Sequence, residues 1–414
     1  MVRKLSIRLT VSALLLTSLC FLSSCRSRSS SLHHTSANPR EVLTLALRGG
    51  IYSDVIKKCL ADFERSTNIL CNVIEMSEDD LHKKVAADKD GNYDLCMVDS
   101  SWMAEYTATN ILANLSELDY ELDDDIIPAT KSICYNHGNV YLAPFYGNVT
   151  VLLYNKLMIK EAGFKAEDID SLEDLLYICR FQKKRHNLGF MYRGDTANNI
   201  VVDFLPILCS RGVYVVDKNN NPTINTEEFA QAVYLYKGLI KTGRAAKKDD
   251  LIAAIANKSA ALGIGWPGWY TPTKNSTIDY IALRGRYRSD YPAYNSNIYG
   301  IWAIGIPEAS KKKEAAAELL KFLMDKDVQK ATVAYGGVPC RYSSLKDAEI
   351  LKKFPQFDAV CAALEGGVYR PVMQEWSQFY TILGAYLKQI FADEITVPVG
   401  LGRAQRDLEK MLKE

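Results

Sequence analysis

The sequence predicts an α/β fold in which mostly parallel strands are covered by helices. Three observations carry this. Strand-like and helix-like segments alternate over the first stretch of the folded chain, the order that builds a doubly wound sheet. The strand segments are nearly continuous apolar runs, as expected of parallel strands buried on both faces. About 370 residues follow a polar N-terminal segment, more than one core usually organises, so two lobes are expected.

Val42 to Leu47 is the first apolar run. From Asp54 onward, Val55, Ile56, Cys59, Leu60 and Phe63 recur at the spacing of one helical face. A strand at Asn72 to Glu75, a polar helix at Asp79 to Ala87 and a strand at Asp94 to Val98 continue the alternation. Tyr141 to Pro144 and Val149 to Tyr154 are strands on either side of Phe145-Tyr146-Gly147-Asn148. Ser171 with Asp174 forms a capping box before a helix, and Ile200 to Leu208 carries another apolar face. Asp217 to Pro222 is a turn cluster, and Asn225-Thr226 opens a helix bearing Phe229, Val233, Tyr236 and Ile240, with Gly243 as its stop. Ala260 to Gly265 and Gly300 to Ile306 are strands, and the remainder to Glu414 is largely helical.

The N-terminus sets the compartment. Arg3 and Lys4 precede an apolar run through Leu14, Leu15, Leu16, Leu19 and Phe21, too short to span a bilayer comfortably but laid out as a secretory signal. Leu22-Ser23-Ser24-Cys25 resembles the bacterial lipobox, which implies acylation of the Cys25 thiol; Cys20, preceded by Leu19, is the poorer match. Residues 1–25 are therefore expected to be a lipoprotein signal peptide. Residues 26–40, rich in Ser and Arg, are expected to be a flexible tether.

Composition narrows the function. With 50 basic and 49 acidic residues, nothing points to nucleic acid. No CxxC occurs among the cysteines, and Cys96, Cys179 and Cys209 lie in apolar runs where a free thiol packs as a small hydrophobe. The five histidines, His33, His34, His82, His137 and His186, lack metal-ligand spacing, so neither metal nor cofactor is expected. There is no GxSxG, HExxH or phosphate loop. Gly263-Ile264-Gly265-Trp266-Pro267-Gly268 matches GxGxxG formally, but Trp266, Pro267 and Pro272 oppose the helix a dinucleotide site needs.

Loops at strand ends instead pair aromatic with polar residues. Trp266-Pro267-Gly268-Trp269-Tyr270, Asp99-Ser100-Ser101-Trp102, Tyr146-Gly147-Asn148, Tyr299-Gly300-Ile301-Trp302 and Tyr369-Arg370-Pro371 all do so. A sugar offers an apolar C–H face to aromatic rings and a rim of hydroxyls to carboxylates, amides and guanidinium groups. Packing at a lobe edge is the plainer use of any one of these aromatics.

In this order, these segments resemble the extracellular solute-binding proteins of family 1, the maltose- and trehalose-binding group. The similarity includes Asp94 to Trp102, Val140 to Asn148 followed by Leu153 to Lys156, Ala303 to Pro307 with Lys311 to Leu323, and Tyr369-Arg370-Pro371 with Trp376. The resemblance implies a two-lobed periplasmic-binding-protein fold of type II, each lobe a mixed sheet flanked by helices. Residues 41–147 with 304–345 would form one lobe and 148–303 with 346–414 the other, joined by crossing hinge strands. It implies that Asp99 accepts sugar hydroxyls, Tyr146 and Asn148 line the cleft, Trp266 and Trp302 stack on rings near the Gly300 backbone, and Arg370 donates to hydroxyls. Trp102 stands in the same region, and Asp54, at the start of the first helix, is a further candidate. The family's disaccharide binders are expected to carry an acidic residue in some cases where Asn148 stands, which leaves the particular sugar open.

The implied role is that of an ABC importer's substrate-binding component: a monomer, exported and held to the membrane by lipid at Cys25, delivering its ligand to permease subunits without chemistry. A non-sugar ligand such as glycerol phosphate, a polyamine or a peptide remains open, since Arg193, Arg341 and Arg370 could cradle an anion. So does a surface-anchored carbohydrate-active enzyme using Asp99 with Asp203, or a structural lipoprotein that has lost binding.

Overall fold

The computed structural model describes residues 41–272, 275–290 and 292–413. The signal peptide, the tether and Cys25 lie outside the described residues. Strand β1 (Val42–Arg48) leads into helix α1 (Ile51–Thr67), then β2 (Leu70–Met76), α2 (Glu78–Ala87) and β3 (Leu95–Asp99). The apolar face expected of α1 is the one it buries, through Val55, Ile56, Cys59, Leu60 and Phe63. The helix begins three residues before Asp54, because Gly50 at φ 83° turns the chain and serves as its N-cap. Strands β1, β2 and β3 are parallel.

Next come β4 (Ala143–Tyr146) and β5 (Val151–Asn155). Helix α3 (Leu172–Lys184) starts on the expected capping box of Ser171 and Asp174. It is followed by β6 (Leu188–Tyr192), α4 (Ala197–Cys209), α5 (Glu227–Ile240), β7 (Arg244–Ala245), α6 (Lys248–Ala256) and β8 (Ala260–Gly265). Strands β9 (Ile278–Ile281) and β10 (Trp302–Gly305) precede helices α7 (Lys313–Leu323), α8 (Phe357–Glu365), α9 (Trp376–Phe391) and α10 (Val397–Met411). The turn at 217–222 is held by Asp217, whose carboxylate accepts from the backbone of Asn219 and Asn221.

The strands form two five-stranded mixed sheets, in the orders β2-β1-β3-β10-β4 and β9-β5-β8-β6-β7. In the first, β10 runs antiparallel to both β3 and β4. In the second, β6, β7 and β8 are parallel, while β5 is antiparallel to β8 and β9. This is the α/β, two-sheet architecture of the periplasmic-binding-protein fold. One core gathers Leu43, Leu45, Phe63 and Met97 with α7 and α8; the other gathers Phe190, Phe204, Phe229 and Leu383 with α9 and α10. Helix α8 packs against β5 and β9 of the second sheet and against residues 128–131 and 342–345. The eight cysteines of the described residues are all free, and seven are buried.

Candidate functional site

Three segments cross between the sheets side by side. Val149 bridges Tyr299, and Ile298 pairs in parallel with Val368. The Gly300 amide donates to the Asn148 carbonyl at 2.9 Å, and Tyr299 N–H to Val368 O at 2.9 Å. These crossings deliver Asn148, Gly300 and Arg370 to one place.

There, a cavity of about 470 Å³ opens between the sheets, within the size range of small-molecule sites. It lies beyond the carboxyl ends of six parallel strands. Arg48 ends β1, Glu78 follows β2, and Asp99 ends β3; Arg193 follows β6, Lys247 follows β7, and Trp266 follows β8. Ligands bind at this end of open α/β sheets. Tyr52, Asp195, Asn198, Asn199, Lys248, Trp269 and Trp302 complete most of the wall.

Six of the nine sequence-identified candidates line the cavity: Asp99, Asn148, Trp266, Gly300, Trp302 and Arg370. Trp302 pairs directly with Asp99 across β3 and β10, so their side chains leave the sheet on the same face. Three candidates do not reach it. Trp102 stands one turn past Asp99 and packs edge-on against Trp302 at 5.5 Å, behind the wall. Tyr146 is fully buried, donates its hydroxyl to Gly336 O at 2.8 Å and supports Tyr52 edge-to-face. Asp54 lies on the exposed side of α1, paired with Lys57 at 2.8 Å. Tyr52, two residues earlier and so about 200° away around the helix, is the α1 residue that faces the site.

Arg370 and Asp99 form an ion pair with both side chains 5% exposed. Asp99 also accepts from Ser101 N at 2.9 Å and Ser101 Oγ at 2.8 Å. Burial opposes the Arg370 charge, yet Asp99 and then Glu78 hold its guanidinium above the usual value. Arg193 is tied to Asp203, which is wholly buried, and donates to Asn199 at 2.7 Å. Its guanidinium lies 5.1 Å from the Trp269 ring and 5.9 Å from Trp266, an aromatic shelf braced by a cation. Arg341 is elsewhere: it pairs with Asp123 and Asp125, so the arginine cradle read from sequence does not assemble.

Burial raises the Tyr52 hydroxyl to about 12. Burial, with the Asp99 charge beside it, also raises the Glu78 carboxyl, against Arg370 and Arg48. An acid raised by folding makes the folded state most stable below its ordinary range, near 4.3, and that stability falls as pH climbs through the raised value. Glu78→Gln is expected to flatten this decline. Melting temperatures of both proteins between about pH 4 and 7 check it, and parallel curves would contradict it.

Several buried polar atoms of the wall have no partner: Arg370 Nε, Asn148 Oδ1, Asn198 Oδ1 and Arg48 Nε. Unpaired buried groups are costly, and these four converge on one cavity. Gly300 is required by the same geometry. A Cβ there would meet the Trp266 ring at 2.8 Å. Gly300→Ala is expected to displace that ring and cost about 1–3 kcal/mol through overpacking, measured by denaturant unfolding. A change below about 0.5 kcal/mol would be that of an ordinary surface site and would contradict the close approach.

The cavity liners absent from the sequence reading of the site, Arg48, Tyr52, Glu78, Asp195, Asn198, Asn199, Lys247 and Lys248, share one signal. Most directly follow a strand of the parallel set or open the next helix.

The bacterial extracellular solute-binding protein model matches residues 58–386. A probable amino-acid ABC transporter periplasmic-binding protein of Sinorhizobium fredii is 25% identical over 364 residues, covering 81% of each chain. Maltose-bound MalE3 of T. maritima superposes with a TM-score of 0.79 at 21% identity, over 89% of this chain and 99% of that one. An ABC transporter solute-binding protein of Agrobacterium radiobacter, in complex with ribitol, gives 0.77 at 23% identity, over 90% and 98%. The family model covers most of the chain, and both sheets and the cavity between them accord with it: this protein belongs to the bacterial extracellular solute-binding protein family.

Proposed function

We propose that the chain is the substrate-binding component of an ABC-type importer and captures a carbohydrate in the cavity between its sheets. One observation carries the reading: Trp266, Trp269 and Trp302 line the same cavity as the unpartnered polar atoms of Arg370, Asn148 and Asn198. Flat apolar faces beside free donors and acceptors suit a ring with hydroxyls around it. The maltose and ribitol named with two structural neighbours support the same class.

Capture is by hinge closure about the three crossing segments, with ligand shifting the population toward the closed form. Residues 41–147 with 304–345 act as one lobe, and 148–303 with 346–414 as the other. Across the cavity, Asn198 Nδ2 of α4 approaches Glu78 Oε1 of α2 at 3.5 Å. The protein is a monomer, held to the membrane through lipid on Cys25, and passes its ligand to permease subunits.

It performs no chemistry on the ligand. Asp203, the partner an Asp99-based glycosidase would need, is wholly buried and engaged by Arg193. A polyamine fits poorly, since Arg48, Arg193, Lys247, Lys248 and Arg370 outnumber the acidic liners Glu78, Asp99 and Asp195.

A thermal-shift screen with sugars, polyols, amino acids and polyamines tests the reading. A carbohydrate at a hundred times its dissociation constant is expected to add about 2.7 kcal/mol. Stabilisation by amino acids alone, as the name of the S. fredii relative suggests for that protein, would overturn the carbohydrate assignment and keep the family.

A further inference from the structure

The charges of the cavity wall are not balanced. The chain as a whole carries 50 basic and 49 acidic residues, so a local excess is not a reflection of composition. Two of the five basic liners are neutralised within the fold, Arg370 by Asp99 and Arg193 by Asp203. The other three are not. Arg48 has no ion pair among the described residues; its Nη1 reaches only the Gly49 carbonyl at 3.4 Å, and its Nε is buried without a partner. Lys247 and Lys248 are exposed and make no ion pair or side-chain hydrogen bond among the described residues.

The acidic liners do not offset them. Asp99 already serves Arg370 and Ser101. Asp195 accepts from Asn199 Nδ2 at 2.8 Å. Glu78 is the remaining carboxyl, against three unpaired cations. The lysines also stand where helix electrostatics disfavour them: Lys247 is the N-cap and Lys248 the first residue of α6, at the positive end of its dipole, with no side-chain cap. Asp249 and Asp250 in the same turn answer the dipole but do not line the cavity. Helix α1 likewise begins at the cavity without a side-chain cap, so backbone N–H groups add to the positive field.

We propose that the ligand is an anionic carbohydrate, its ring against Trp266 and Trp302 and its acid group held between Arg48 of the first sheet and Lys247 and Lys248 of the second. This rests on the carbohydrate reading above and narrows it to sugars bearing a carboxylate or a phosphate. Such a group draws on both lobes at once, so its charge contributes to closure as well as to affinity. Desolvated, charge-assisted bonds to an acid group exceed those to a hydroxyl.

Matched pairs test this by calorimetric titration of the purified protein: glucose against glucuronate and glucose 6-phosphate, and galactose against galacturonate. The acid is expected to bind at least about tenfold more tightly than its neutral parent, and to weaken as salt rises. Lys247→Gln/Lys248→Gln and Arg48→Gln are each expected to weaken the acid more than its neutral parent, so that the preference for the acid falls toward unity. The exposed lysine pair keeps the test sound should Arg48→Gln fold poorly. Preference for the uronates identifies a carboxylate ligand and preference for the phosphate ester a phosphorylated one; either supports the proposal. Neutral sugars binding as tightly as their acids, with the variants indifferent, would overturn it and leave the carbohydrate reading standing. Binding of no carbohydrate at all would overturn both.

Discussion

Asp99→Ala is expected to destabilise the fold by about 3–5 kcal/mol, the cost of leaving a buried charge without its partner. Arg370 sits in a wall that admits little water, with its side chain 5% exposed. Its Nε is already unpartnered, and Asp99 is its only ion-pair partner among the described residues. Glu78 lies close enough to influence Arg370 but makes no bond to it. The double variant Asp99→Ala/Arg370→Met is expected to recover most of that loss, because replacing both members of a buried pair by apolar groups is often neutral. Denaturant unfolding of the parent, the single and the double variant checks this. A single variant within about 1 kcal/mol of the parent would reduce the pair to one of surface strength, and a double variant no better than the single would place the loss elsewhere.

Trp266→Ala is expected to weaken ligand binding by about 30-fold or more, as for a buried aromatic at the centre of a recognition site. The ring closes over Gly300, stands beside the Arg193 guanidinium, and is 8% exposed in the cavity wall. Trp102→Ala is the contrast. That residue packs behind Trp302 and against His82 and Tyr106, so its loss is expected to lower the melting temperature more than it changes affinity for bound ligand. Titrations of both variants separate the roles; equal losses of affinity would mean that the cavity wall is not where recognition happens.

These contrasts mark what was legible in the sequence. The apolar runs around Leu45, Met97 and Leu262 announced buried strands, and the spacing from Val55 to Phe63 announced a helix, because burial imposes both patterns. Asp99, Trp266, Trp302 and Arg370 were legible as site residues because each sits where a strand ends and an aromatic meets a polar group. Asp54 is a candidate only through its place at a helix start. Its direction depends on where the helix begins, and the Gly49-Gly50 turn starts α1 early enough to put Tyr52 inward and Asp54 in solvent. Tyr146 and Trp102 carry the same local pattern as true liners, but their burial depends on Gly336 and His82, contacts that no local spacing encodes. Arg48, Glu78 and Lys247 carry no aromatic signal at all; they line one cavity only once the parallel strands of the two mixed sheets bring their carboxyl ends together.

On the proposed function, a carbohydrate closes the two lobes around the cavity lined by Trp266, Trp269 and Trp302. These are three of the five tryptophans in the chain, so intrinsic fluorescence reports on the site directly. The most direct measurement is a fluorescence titration of the purified protein with neutral and acidic sugars, repeated on Trp266→Ala. A saturable change with a carbohydrate is expected in the parent, and its loss, or a shift of about 30-fold or more to higher concentration, in the variant. A carbohydrate that binds with no change in tryptophan emission, or binds Trp266→Ala as tightly as the parent, would contradict it.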